Sequence, residues 1–277
     1  MSKVWFITGS SRGLGRAIAE TALSSGAQVV ATARRPEQLG GLVEKYGENV
    51  YPVALDVADS AAAATAVAAA VERFGRIDVV VNNAGYADTA AVEDVTIEDF
   101  TAQIDTVFLG TVYVTKAVLP ILREQGSGHI FQVSSLGGRI GSPGLAAYQS
   151  AKWAVAGFSE VLAQEVGPLG IKVTVLEPGG MRTDWAGPSM KIPPVSEPYR
   201  QTVGVFADMI RKATGTEPTD PAKVGQLIQR VLELPEPPVR LLVGSDAVQY
   251  AGQAARALAD SDARNRELSE SVAFDEN

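Results

Sequence analysis

Apolar residues along this chain follow two rhythms. Short runs rich in β-branched residues recur as KVWFIT (3–8), AQVVAT (27–32), VYPVALD (50–56), IDVVVN (77–82), GHIFQVS (128–134), IKVTVLE (171–177) and VRLLVG (239–244). Several are nearly continuous apolar stretches, as expected of parallel strands covered on both faces. Between them lie longer segments with helical character, such as GLGRAIAETALSSG and SAAAATAVAAAVERFG, each closed by a glycine of the kind that ends helices. The alanine-rich run 61–70 reads as a plain packing helix. This alternation is a repeated βα unit, and it predicts an α/β fold, a doubly wound parallel sheet with helices on both sides.

No Pro/Gly linker divides the chain, so a single domain is expected over about residues 1–245. Residues 184–217 break the rhythm between the sixth and seventh strands, with the size and proline-rich entry of an active-site lid. Residues 246–277 read as a mostly helical, charged C-terminal extension with a frayed end, AFDEN.

Composition narrows the chemistry. A chain of 277 residues can bury a full core, and 46% hydrophobic with 20% charged residues is ordinary for a globular protein. There is no cysteine, which excludes disulfides and thiolate metal sites. The single histidine, His129, excludes metal sites built on several imidazoles and most histidine-based triads, so no metal is expected. A net charge of −8 argues against a general nucleic-acid binder, though not against a small anion in a local pocket. The chain enters its first apolar run without a signal-peptide pattern, and no uninterrupted apolar stretch approaches bilayer-spanning length. The expectation is a soluble, cytoplasmic protein with no membrane partner.

The segment TGSSRGLG (8–15) follows the first strand and opens the first helix. Gly9, Gly13 and Gly15, with Ser11, Arg12 and Leu14 between them, form the tight turn that lets a backbone approach a pyrophosphate. The helix N-terminus behind them offers unpaired N–H groups, so the context is that of a Rossmann dinucleotide site. Such sites usually carry an acid after the second strand for the ribose hydroxyls. Here the strand ends VVATARRP, placing Ala33 and Arg34 where the carboxylate would sit, with Arg12 in the glycine loop. Two arginines and no acid suit the 2′-phosphate of NADP(H). The alternative is a solvated basic corner.

In AAYQSAKWAV (146–155), Tyr148 and Lys152 share one helix face. With TGSSRGLG, NNAG (82–85) and YQSAK (148–152) in order, the chain resembles the short-chain dehydrogenase/reductase family, in its compact single-domain branch. The resemblance runs from about residue 3 to 183, and less specifically to about 245. It implies a hydride transfer between a nicotinamide and a carbonyl or secondary alcohol. The implied catalytic residues are Ser135, Tyr148 and Lys152, Ser135 being preferred to Ser134 because the family's serine usually lies thirteen positions before the tyrosine. Tyr148 would act as acid/base, Lys152 would lower its pKa and hold the nicotinamide ribose, and Ser135 would orient the substrate oxygen. The resemblance also implies that Asp56 and Val57 flank the adenine and that Asn83, Ala84 and Gly85 pass the ribose. In PGGMRT (178–183), Pro178, Gly179, Met181 and Thr183 would border the nicotinamide.

One position departs from the family. Where many members have an asparagine that holds a water linking the lysine to solvent, the segment QIDTVFLGTVYVTKAVLP (103–120) carries Val107. Asp105 and Thr106 are near in sequence but belong to other helix faces. Three accounts stay open: another water path, weakened turnover, or a protein that binds NADP(H) as a regulator or scaffold. The enzyme is favoured, because a pure binding protein has no evident need of Ser135, Tyr148 and Lys152 together.

The lid mixes apolar Trp185, Met190, Ile192, Tyr199, Val203, Phe206 and Met209 with Lys191, Arg200, Arg211 and Lys212. It would admit an apolar or aromatic carbonyl substrate with a polar end, or these residues simply pack the lid onto the body. His129 begins the fifth strand, too early for the site, and reads as structural or surface. The resemblance implies a homodimer or homotetramer built on the helices at 100–122 and 149–166.

Overall fold

The computed structural model describes residues 2–187 and 190–274. Pro188 and Ser189 of the expected lid, and Asp275 to Asn277 of the expected frayed end, lie outside the described residues. Among the described residues, seven strands form one parallel sheet: β1 (Val4–Ile7), β2 (Gln28–Ala33), β3 (Val50–Ala54), β4 (Val79–Asn82), β5 (Gly128–Val133), β6 (Ile171–Pro178) and β7 (Arg240–Val243). Their order is β3-β2-β1-β4-β5-β6-β7. The apolar runs pair in parallel register throughout, for example Trp5 with Val29 and Val79 with His129. The chain winds outward from β1 to β3 and then returns to β4, beside β1. That reversal opens a crevice at the carboxyl ends of β1 and β4.

Helices cover both faces. On one side lie α1 (Gly13–Ser24), α2 (Gly40–Tyr46) and α8 (Pro221–Leu232), packed through Ile18, Leu42 and Ile228. On the other lie α3 (Ser60–Phe74), α5 (Gly110–Gln125) and α6 (Ala146–Val166), packed through Val67, Val118 and Leu162. The helix α3 starts where Asp59 accepts the Ala61 and Ala62 N–H groups, the capping that converts orphan donors into hydrogen bonds. Thr96 does the same for Asp99 at the start of α4 (Ile97–Ile104).

A π-helical turn, Asp105–Leu109, joins α4 to α5 without a break. The resulting 29-residue helix, 97–125, is long and apolar enough to cross a membrane by length and composition. The expectation that no uninterrupted apolar run reaches that length still describes the sequence. Polar Gln103, Thr111 and Thr115 punctuate the sequence, but the helix they interrupt is continuous. Its Val107, Val114, Val118 and Leu122 are buried within the domain, as a core-facing helix requires.

The segment 184–217 forms short turns and α7 (Val205–Ala213). Its anchors are acids on the loop after β4. Asp94 accepts the Ser196 N–H and hydroxyl, Glu93 accepts the Tyr199 hydroxyl, and Asp88 accepts the Lys191 N–H. Beyond β7, α9 (Ser245–Arg264) and α10 (Arg266–Glu270) follow, and Phe274 is fully exposed.

Candidate active site

The glycine loop follows β1 directly. Gly9 has φ +67°, a left-handed conformation that favours glycine. At Gly15 a Cβ would collide with the Gly9 carbonyl and the Asn83 amide, so helix and loop meet more closely than any other residue permits. Asn83 is committed to this turn: its amide donates to the Thr8 carbonyl (2.9 Å) and the Gly9 carbonyl (3.2 Å). In return the Thr8 hydroxyl accepts the Asn83 and Ala84 N–H groups (2.9 and 3.0 Å). The ends of β1 and β4 are thereby locked together.

The start of α1 has no side-chain cap, since Arg12 occupies the N-cap position without capping it. Its first N–H groups face the crevice with the positive end of the helix dipole, which fits a pyrophosphate. Thr183 comes from the opposite bank, its Cβ 3.8 Å from where a Gly13 Cβ would stand. Arg12 and Arg34 are exposed, and neither forms an ion pair among the described residues. No acid stands at the end of β2, where Ala33 closes the strand. Asp56 is exposed and accepts the Ala58 N–H, and Val57 is buried. These residues fit a nicotinamide dinucleotide along the crevice.

Ser135, Tyr148 and Lys152 converge at its far end. The Ser135 hydroxyl accepts the Gly137 N–H (3.0 Å) and is hydrogen-bonded to the Tyr148 phenol. Ser134 is spent structurally, its hydroxyl donating to the Lys152 carbonyl (2.9 Å). The Lys152 ammonium donates to the Val133 carbonyl (2.6 Å) and lies 5.7 Å from the centroid of the Tyr148 ring.

Burial dominates the titration of both groups. It pushes the Tyr148 phenol up to about 12, with the Ser135 hydroxyl pulling the other way, and it pulls Lys152 down to about 8. At neutral pH the phenol holds its proton and the amine its charge.

Over Tyr148 lies an apolar cluster of Ala87, Leu145 and Met190, with Trp185, Ile192, Phe206 and Ile210 packed against it. Trp185 and Tyr148 rings are 5.5 Å apart. Phe206 and Ile210, one helical turn apart on α7, face inward, whereas Met209 is 56% exposed and takes no part. A separate cavity of about 320 Å³ opens on the lid, lined by Ile192, Val195, Arg200, Ala207 and Arg211. It is displaced from the reacting groups, so the crevice and not this cavity is the centre of the site. His129 is structural: it is buried, stacked 4.1 Å from Phe131 and hydrogen-bonded to Thr174.

Val107 is fully buried, with a methyl carbon close to Gly85. Two acids were missed in the sequence. Glu177, next to Pro178, binds Arg139 and Arg240, and its only signal was a charge inside an apolar strand run. Asp246 accepts the Gly180 N–H (2.6 Å) and fills the space a Cβ on Gly179 would need. The carboxylate near the start of α9 thus accounts for Gly179, while Gly180 meets it through its backbone N–H.

Comparison with known proteins agrees with this arrangement. Residues 3–191 match the family model described as short chain dehydrogenase. The chain is 66% identical over 270 residues to Oxidoreductase BOA17 of Botryotinia fuckeliana, covering 97% of this chain and 98% of that protein. A crystal structure of a short-chain dehydrogenase from Streptomyces avermitilis superposes with a TM-score of 0.92 at 35% identity, over 98% of both chains. A serine dehydrogenase complexed with NADP+ superposes with a TM-score of 0.76 at 29% identity, over 87% of this chain and 94% of that one. Structures of this fold holding NAD or NADH are similar as well. With its parallel sheet, glycine loop and convergent Ser135, Tyr148 and Lys152, the chain is an oxidoreductase of the short-chain dehydrogenase/reductase family.

Proposed function

We propose that this oxidoreductase is NADP(H)-dependent and interconverts a carbonyl and a secondary alcohol on an apolar small molecule. The observation that carries the reading is the convergence of Ser135, Tyr148 and Lys152 at the end of the crevice, under an apolar roof. When bound, the cofactor supplies or accepts the hydride. The protein handles the proton. The Ser135 hydroxyl donates to the substrate oxygen and orients it, and the protonated Tyr148 gives its proton to that oxygen as charge develops. A phenol that keeps its proton at neutral pH suits carbonyl reduction. Lys152, cationic below about 8, stabilises the phenolate left behind.

Arg12 and Arg34 support the preference for NADP(H), because two free guanidiniums and no ribose-binding acid favour a 2′-phosphate. Pro178, Gly179, Met181 and Thr183 border the nicotinamide end in this reading. Exposed Trp153 and Val161 on α6 support assembly as a homodimer or homotetramer. Val107 favours a second reading, a catalytically slow protein that binds NADP(H) as a regulator.

NADPH consumption against a panel of apolar ketones and aldehydes, beside Tyr148→Phe, tests the proposal. Turnover that Tyr148→Phe abolishes supports it. Silence of both the parent chain and Val107→Asn, with NADPH bound, supports the regulator.

A further inference from the structure

Glu177 is 0% exposed, a carboxylate wholly inside the protein. One of its oxygens accepts from Arg139 Nε (2.8 Å) and Nη2 (2.5 Å). The other accepts from Arg240 Nε (2.9 Å) and from Arg240 Nη2. Arg240 also reaches Glu160 on α6 through Nη1 (2.9 Å). Two cations and two anions balance, and both carboxylate oxygens of Glu177 are occupied by a separate guanidinium. Burying such a group is costly, and well-packed apolar residues often do as well for stability. Stability alone is therefore a weak reason for it. Its geometry supplies a better one.

Each arm ends on an element that carries a reacting group. Arg139 closes the turn that begins at Ser135, where the Gly138 N–H bonds the Ser135 carbonyl and the Arg139 N–H bonds the Leu136 carbonyl, both at 2.8 Å. Glu177 itself directly precedes Pro178, at the start of the loop that borders the crevice. Glu160 lies on α6, the helix of Tyr148 and Lys152. We propose that Glu177 is a positioning residue: its buried carboxylate, gripping Arg139 while Arg240 balances its charge, sets where the Ser135 turn stands relative to the end of β6 and the loop after it. A neutral amide at this position would lose the charge-assisted hold on both guanidiniums at once. Small displacements of a donor that must meet a developing charge are expensive in rate.

The inference rests on the oxidoreductase mechanism proposed above, and the test separates the two. Arg139→Met, Arg139→Lys, Arg240→Met and Glu177→Gln are made in the full chain. Turnover, NADPH affinity, melting temperature and backbone hydrogen exchange are measured for each. Arg139→Met and Glu177→Gln should lower kcat by roughly 10- to 100-fold, with KM and NADPH affinity changed far less. Exchange at Gly137, Gly138 and Arg139 should rise selectively. Arg139→Lys, which keeps the charge but not the fork, should recover part of the rate. Arg240→Met keeps the Arg139–Glu177 bond and should lower the melting temperature without the selective exchange. If Glu177→Gln does not fold, the two Arg139 variants against Arg240→Met carry the comparison. The inference is overturned if kcat follows melting temperature equally for both arginines, or if exchange rises evenly across the domain. If the parent chain turns over no substrate, the mechanism fails by itself, and exchange around the Ser135 turn still decides the role of Glu177.

Discussion

Val107 and Lys152 both close on Gly85: a Val107 methyl carbon and the Lys152 ammonium lie 3.6 and 3.7 Å from the point where a Gly85 Cβ would stand. Val107 thus brings hydrocarbon to this buried neighbourhood, where the resemblance leads one to expect an amide. Lys152 already donates to the Val133 carbonyl, and in the proposed mechanism its proton exchange with solvent would take a route without that amide. Val107→Asn is expected to raise kcat and broaden its pH profile while leaving NADPH affinity unchanged. It should also cost about 1–3 kcal/mol of stability, because it places an amide in a fully buried position. Steady-state kinetics from pH 6 to 9 and urea unfolding check both parts. Unchanged kcat across that range would remove the role assigned to Val107.

Tyr148→Phe keeps the ring that packs against Trp185 and removes only the hydroxyl. Turnover should fall by about 10²- to 10⁴-fold, the usual contribution of a positioned acid. NADPH should still bind, which fluorescence of the bound dinucleotide reports.

Arg34→Asp tests the cofactor preference. Losing one charge-assisted contact, worth about 1.5–3 kcal/mol, should weaken NADPH binding by roughly 10- to 150-fold. NADH binding should hold or improve, since the new acid can meet the ribose hydroxyls. Calorimetric titration of both dinucleotides decides it, and equal losses for the two would contradict the assignment.

His129 makes a pH prediction of its own. Burial lowers its pKa from 6.5 to about 3, so it stays neutral when folded and takes a proton when unfolded. Folding then excludes a proton that the unfolded chain binds, and stability falls as pH drops below 6.5 toward 3. Between pH 7 and 5 the loss should be about 2 kcal/mol by linkage. As this is the single histidine of the chain, His129→Leu should flatten urea-derived stability over that interval.

How much of this was legible beforehand depends on distance along the chain. The sheet was readable because its inner strands are buried on both faces and therefore largely apolar. Edges were less so: the fourth strand starts at Val79, not at Ile77. Asp78 there spends its carboxylate on the Val4 N–H and on Arg76. Ser135, Tyr148 and Lys152 could be named because the motifs that carry the family resemblance are local in sequence. Glu177 could not, since its partners lie 38 and 63 residues away and meet it only through the sheet order. The inward turn of Ile210 in place of Met209 was hidden for a similar reason. Which face of α7 meets the body is decided by where the Asp94 and Glu93 anchors set the segment down.

Asp246 has a consequence for the order in which the protein is made. It grips the Gly179–Gly180 corner from 66 residues downstream. A nascent chain that has emerged as far as α8 already owns the glycine loop, Ser135, Tyr148 and Lys152. One bank of its crevice is nevertheless unfastened until α9 arrives. During synthesis, then, that corner can be clasped only after the elements bearing Ser135, Tyr148 and Lys152 have all emerged.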